Sequence, residues 1–244
     1  MIHERKVLGI IGGMGPMATA DLFIKIIGMT DADCDGGHLH ILIDNNTDIP
    51  DRTQSILSGS DAPLRFMAES AERLTAQGAD ILVIPCHTAH YYYDELQKLC
   101  RVPILNMLGV LALAARSADY RRLGLLATDG VVQSGIYDRA FADTGIELIY
   151  PDPEGQEKLM QLIYEQVKAG KPADASALDA CLGGMASRGA QAFILGCTEL
   201  PLVFSDCPGR SFIDPTALLA EAAIKAAGGR IKPEPDTNAQ EIYT

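Results

Sequence analysis

The sequence has no apolar run near the roughly eighteen residues that a spanning helix requires, so it offers no membrane segment. It has six cysteines but no Cys-x-x-Cys pair. Positive charge is scarce: 20 Lys and Arg stand against 32 Asp and Glu, a formal net charge of −12. That balance argues against nucleic acid as a partner. It also means that an anionic substrate would need locally placed cations or helix N-termini. A secretory leader is not expected. Met1 to Lys6 is mostly polar, and glycines break the apolar run that follows, which reads as a first strand. The chain is therefore expected in the cytoplasm, with its thiols reduced. Apolar residues are not lacking. They make up 48% of 244 residues, enough for one large domain or two of ordinary size without a disulfide or metal to hold the core.

Two stretches read as copies of each other. Gln77-Gly78-Ala79-Asp80-Ile81-Leu82-Val83-Ile84-Pro85-Cys86-His87-Thr88 is matched, at one constant offset, by Arg188-Gly189-Ala190-Gln191-Ala192-Phe193-Ile194-Leu195-Gly196-Cys197-Thr198-Glu199. Each has a Gly that can end a helix, a short apolar run and a terminal Cys. A short continuous apolar run suits a buried parallel strand. Ligands of parallel α/β sheets bind beyond the carboxyl ends of the strands, where both cysteines would lie. A lone Cys there usually means packing. Two at matched places, each before polar residues at a helix start, point to chemistry. A helix N-terminus lowers a thiol pKa from about 8.5. A thiol on each face of an α-carbon meets the need of racemisation for a base opposite an acid, without a cofactor. Cys34, Cys100, Cys181 and Cys207 lack such a setting and read as structural.

Strands are expected at 7–12, 39–43, 81–84, 102–106, 122–127, 147–150, 192–196 and 211–213. Helices are expected over 18–27, 61–78, 91–99, 136–143, 157–167, 178–187 and 215–227. Asp61 and Thr88 are candidate N-caps, and Asp214-Pro215 is a cap followed by Pro at the first helical position. Residues 44–60 read as a long polar, functional loop. Alternation implies an α/β fold with mainly parallel sheets flanked by helices. The repeat implies two Rossmann-like lobes related by a pseudo-twofold axis, with the site in the cleft between them. The first lobe would hold residues 1–103 plus 214–228, the last helix packing back onto it. The second would hold 104–213, and 229–244 would be a loose tail.

Gly12-Gly13-Met14-Gly15-Pro16, Ile49-Pro50-Asp51-Arg52-Thr53, Pro85-Cys86-His87-Thr88-Ala89-His90 and Gly196-Cys197-Thr198-Glu199-Leu200-Pro201 together resemble the aspartate/glutamate racemase family, over roughly residues 6–228. The Glu after Cys-Thr is similar to the aspartate racemase branch. The resemblance implies two α/β lobes, no pyridoxal phosphate, no metal, a small acidic amino acid as substrate, and a homodimer. It implies catalytic roles for Cys86 and Cys197. It implies substrate contacts from Met14, Asp51, Arg52, Thr53, His87, Thr88, Lys168, Thr198 and Glu199. Arg offers planar bidentate recognition of a carboxylate. Lys168 is either a cation facing a helix C-terminus or a grip on the side-chain carboxylate. His87 departs from the family, which usually has Asn there. It replaces that Asn as a donor, tunes Cys86, or satisfies a loop carbonyl. His90 lies four residues past Cys86, but no further metal ligand is visible. Tyr91-Tyr92-Tyr93 reads as core plus lobe or dimer contact.

Other readings stay open. Gly13-Met14-Gly15-Pro16-Met17-Ala18 after a strand, with Asp44 ending the next, outlines a dinucleotide fingerprint. Pro16 removes a backbone N–H near where a pyrophosphate would sit, and the matched cysteines go unexplained. A diacid isomerase or decarboxylase on the same fold, and a non-catalytic binding protein, are the remaining alternatives.

Overall fold

The computed structural model describes residues 5–173, 175–204 and 210–233; Cys207 and most of the expected tail lie outside them. The described strands form two parallel sheets. In one, β1 (Leu8–Gly12) lies between β2 (Ile41–Asn45) and β3 (Ile81–Val83). In the other, β4 (Arg122–Ala127) lies between β5 (Glu147–Ile149) and β6 (Ala192–Gly196), and β7 (Phe212–Ile213) pairs outside β6. The two orders correspond strand for strand. Ile104 makes a lone parallel bridge to Leu82, in the place that β7 takes beside β6. The strand expected over 102–106 shrinks to this bridge because Pro103 accepts from the Leu82 N–H but has none of its own to give. β1 and β6 are buried along their whole length, as strands covered on both faces must be.

Helices cover the sheets: α1 (Pro16–Met29), α2 (Arg52–Ser58), α3 (Ala62–Ala76), α4 (Tyr93–Leu99), α5 (Met107–Ser117), α6 (Asp129–Ser134), α7 (Ile136–Phe141), α8 (Pro153–Gln161), α9 (Asp179–Ser187), α10 (Pro201–Phe204) and α11 (Pro215–Ala226). α3 buries Met67, Ala71 and Leu74, the stripe that its spacing predicts. α11 lies against the first sheet. Leu219, Ala220, Ala223 and Ile224 share one core with Leu8, Ile10, Leu22, Ile26, Ile81 and Val83. Truncating Leu219 to Ala would cost about 2–5 kcal/mol. No helix among the described residues is long and apolar enough to cross a membrane.

Several expected boundaries shift, each for a local reason. Residues 44–60 are not all loop: Asp51 accepts from the Gln54 N–H at 2.8 Å and starts α2, which Gly59 ends at φ 70°. Asp61 makes no capping bond, and Ser60 Oγ takes the Ala62 N–H at 3.2 Å instead. Thr88 does not cap the following helix. It opens a tight turn, Thr88–Tyr92, before α4 begins at Tyr93. The helix expected over 157–167 starts earlier, at Pro153 behind an Asp152 cap, and continues as a π-helical segment, Leu162–Val167.

Candidate active site

A small cavity, about 270 Å³ of empty space counting the part open to solvent, lies where the ends of β1, β3, β4 and β6 converge. It is lined by Met14, Asp51, Arg52, Thr53, Cys86, His87, Thr88, Lys168, Cys197, Thr198 and Glu199, so every residue singled out from sequence meets here. Thr128 and Tyr164 complete the wall. Neither was anticipated. Thr128 follows β4 as Gly13 follows β1, so the repeat itself was the signal. Tyr164 lies off the Leu159–Ile163 stripe and carried none.

Two glycines let the backbones come this close. Gly13 has φ 89°, and a Cβ on it would fall 2.3 Å from the Asn46 backbone. The turn therefore passes tight against the β2 loop and points the Met14 carbonyl at Arg52. A Cβ on Gly130, in α6, would fall 2.8 Å from Thr53 Cα, so α2 and α6 touch across the cleft. Beside that contact, Thr128 Oγ1 is within 3.3 Å of Thr53 Oγ1 and 3.4 Å of Thr88 Oγ1.

Cys86 and Cys197 are both buried and face the same cavity, one after β3 and the other after β6. Their neighbours differ. Beside Cys86 lies Arg52, itself buried. Its Nη1 donates to the Pro50 carbonyl at 2.9 Å and its Nη2 to the Met14 carbonyl at 3.0 Å. The expected two-pronged fork onto a ligand is thus largely spent on backbone. Nε–H remains, buried and without a partner. Burial works against the charge, but Cys86 and then Asp51 outweigh it and hold the Arg52 pKa above its ordinary value.

Cys197 donates from Sγ to Glu199 Oε2 at 2.9 Å. Burial, and next the Glu199 carboxylate, push its pKa well above that of an ordinary thiol, against the pull of Lys168. The lowered pKa expected from a helix start does not hold at Cys197. The next helix begins only at Pro201, and an acidic group sits nearer. Lys168 is exposed as a residue, and its Nζ lies 4.3 Å from the Tyr164 ring centroid, a cation–π contact. Desolvation opposes its charge, yet Cys197, Glu199, Tyr164 and Cys86 prevail and raise its pKa to about 12.

His87 is fully buried. Its Nδ1 lies 2.6 Å from the Tyr137 hydroxyl, and its Nε2 has no partner. Burial, with His90 second, lowers its pKa to about 3, so the ring is neutral. His90 has a structural part: Nδ1 meets the Cys86 carbonyl at 2.9 Å, and Nε2 accepts the Met107 N–H at 3.2 Å. Tyr92 and Tyr93 donate to the Ser60 and Ile104 carbonyls, while Tyr91 is exposed. The dinucleotide reading fails on charge and space. Asn46 backbone fills the Gly13 turn, and a Cβ on Gly15 would lie 3.2 Å from the Glu199 carboxylate, where a phosphate would be repelled.

A parallel α/β fold with a polar cavity at its strand ends, lined by a thiol from each sheet, is built for small-molecule chemistry. Residues 11–223 match the Asp/Glu/Hydantoin racemase family, and the chain belongs to it. A broad specificity amino-acid racemase, RacX, of Bacillus subtilis is 27% identical over 89% of this chain and 96% of its own. The solved structure of Picrophilus torridus aspartate racemase superposes with TM-score 0.83 at 31% identity, covering 93% of this chain and 96% of its own. Glutamate racemase from Francisella tularensis, solved with D-glutamate, shares the fold with TM-score 0.70 at 15% identity, over 91% of this chain and 81% of its own. The class is thus an isomerase, an amino-acid racemase.

Proposed function

We propose that this protein interconverts L- and D-aspartate, with glutamate the second candidate, by cofactor-independent proton transfer between Cys86 and Cys197. The observation that carries the reading is two buried thiols, one after each matched strand, on one small cavity that also holds two cations. A thiolate takes the α-hydrogen as a proton. The C–H electron pair passes into the α-carboxylate as an enediolate. The opposite thiol then gives its proton to the other face of the carbon, and the configuration is inverted.

The cations do what the overall charge of −12 cannot. Arg52 Nε–H is a ready donor for a carboxylate, and Lys168 supplies a second positive charge near Cys197. Both stabilise the charge that builds on the carboxylate in the transition state. Glu199 serves Cys197: it accepts the thiol proton when that sulfur must act as base. The threonines and Asp51 shape the floor, and Met14 bounds it. A dicarboxylate fits a site with two separated cations better than a monocarboxylate does. A reducing, cytoplasmic setting suits the thiols. A homodimer suits the apolar stripe of Met17, Ile24 and Ile27 exposed on α1.

The test is a panel of L- and D-amino acids in deuterated buffer, followed by proton NMR and chiral chromatography. Aspartate is expected to lose its α-proton signal and reach a one-to-one mixture from either side. Loss of carbon dioxide, or exchange with no inversion, would replace the reading with decarboxylation or simple enolisation.

A further inference from the structure

Beyond the thiols, one buried pair has no part in the chemistry so far. We infer that Tyr137 is a positioning residue that fixes His87 as a neutral hydrogen-bond donor, its Nε2–H aimed into the cavity to hold the substrate's α-carboxylate. The inference deepens the racemase reading and rests on it for the identity of the ligand.

His87 is 2% exposed and Tyr137 1%. The Tyr137 hydroxyl lies 2.6 Å from His87 Nδ1, and the rings stack at 5.8 Å between centroids and 24° between planes. Phe141, also on α7, stacks on Tyr137 at 6.1 Å between centroids and helps hold the phenol in place. His87 follows β3, whereas Tyr137 is on α7, so the bond joins the two halves of the repeat.

Two proton placements are possible. If Nδ1–H donates to the phenol oxygen, the Tyr137 O–H is left buried with no acceptor, and Nε2 is a bare lone pair facing an anionic ligand. If the phenol donates to Nδ1, the hydroxyl and Nδ1 are both satisfied, and the ring proton sits on Nε2. A buried donor without an acceptor is costly, so the second placement prevails. It leaves one unpartnered polar atom, Nε2, on His87, a residue that lines the cavity. Burial keeps the imidazole uncharged and the phenol protonated at neutral pH, in accord with this placement. The result is a neutral N–H donor, the same service that a carboxamide side chain would give. It adds no positive charge beside Cys86 that would vary with pH.

The deciding measurement is 15N-edited NMR of His87 in the free full-length protein, assigned by loss of its signals in His87→Asn. The wild type is expected to show Nε2 protonated and Nδ1 bare throughout pH 5–8. Protonated Nδ1, or an imidazolium appearing in that range, overturns the inference. Kinetics give the second arm. Tyr137→Phe is expected to raise KM for L-aspartate roughly ten-fold, the scale of one lost carboxylate contact, with a smaller change in kcat. In a His87→Asn background the amide donates unaided, so the same Tyr137→Phe change is expected to have little further effect. An equal KM rise in both backgrounds makes Tyr137 a packing residue and overturns its assignment. Failure of the racemase reading looks different: no aspartate or glutamate α-proton exchanges in any variant, while the tautomer of His87 is still read directly.

Discussion

The two cysteine ends share a backbone plan and little else. After β3 the thiol meets an arginine and a neutral histidine; after β6 it meets a carboxylate and a lysine. A repeat supplies a pair of sulfurs at matched places. It does not supply equal sulfurs, because each one's proton affinity is set by side chains within a few ångströms. Cys197, pushed up by burial and Glu199, rests as a thiol hydrogen-bonded to a potential base. Cys86 has no carboxylate partner of that kind and looks onto a fixed guanidinium.

The largest effect expected is from Cys86→Ser or Cys197→Ser. Each should lower kcat/KM about 10³-fold or more, while circular dichroism and melting stay near wild type. Because L and D products are equally stable, kcat/KM must fall equally in both directions. The asymmetry should show instead in α-proton exchange, retained with one enantiomer and lost with the other, with the two mutants choosing opposite enantiomers. Racemisation at wild-type rates in both would remove the sulfurs from the chemistry. Next is Glu199→Gln, which keeps the shape but cannot take the Cys197 proton. A fall of about 10²-fold in kcat, deepest where Cys197 acts as base, is the expected outcome. An unchanged kcat would show that solvent, not Glu199, handles that proton.

A smaller change is expected from Lys168→Met: KM for aspartate up about ten-fold, with alanine, if turned over at all, unaffected. An equal effect on both would place Lys168 away from the side-chain carboxylate. The last effect concerns stability rather than turnover. His87 and His90 are held neutral with pKa values of about 3 and 4, while an unfolded histidine titrates near 6.5. The unfolded chain therefore binds more protons below pH 6.5. Stability is full above that pH and drains as pH falls toward 4, by about 1.4 kcal/mol per pH unit per histidine. Urea melts across pH 4–7 should show that slope, and His87→Asn should remove about half of the part due to these two residues. A slope unchanged by His87→Asn would mean that the ring already charges in the folded state.

Much of this was legible because it repeats. The Gly-Ala, apolar run and Cys of each half placed β3, β6 and both thiols, and the Asp-Pro start of α11 fixed its first turn. The motif residues reached the cavity together because strand ends converge in any parallel sheet. What stayed hidden was set by contacts distant in sequence. Asp51 was noticed as a loop residue, yet its capping of Gln54 makes Arg52 and Thr53 the opening turn of a helix. The Arg52 guanidinium is turned onto the Met14 and Pro50 carbonyls, which residue type alone does not reveal. Tyr137, fifty residues from His87, sits in a plain amphipathic pattern with nothing to mark it. The raised pKa of Cys197 went unforeseen because a helix start was weighed without the carboxylate two residues on.

The return of α11 to the first sheet has a consequence for how the protein is made. Part of one face of β1 and β3, already flanked by Leu22, Ile26 and Met107, stays open until Leu219 to Ile224 are made, although those strands come much earlier in the chain. α11 also reaches the second core, where Leu218 packs, and it touches α5 and β6, so both sheets wait for it. Until then the nascent chain carries apolar surface on the first sheet that α11 alone has still to cover.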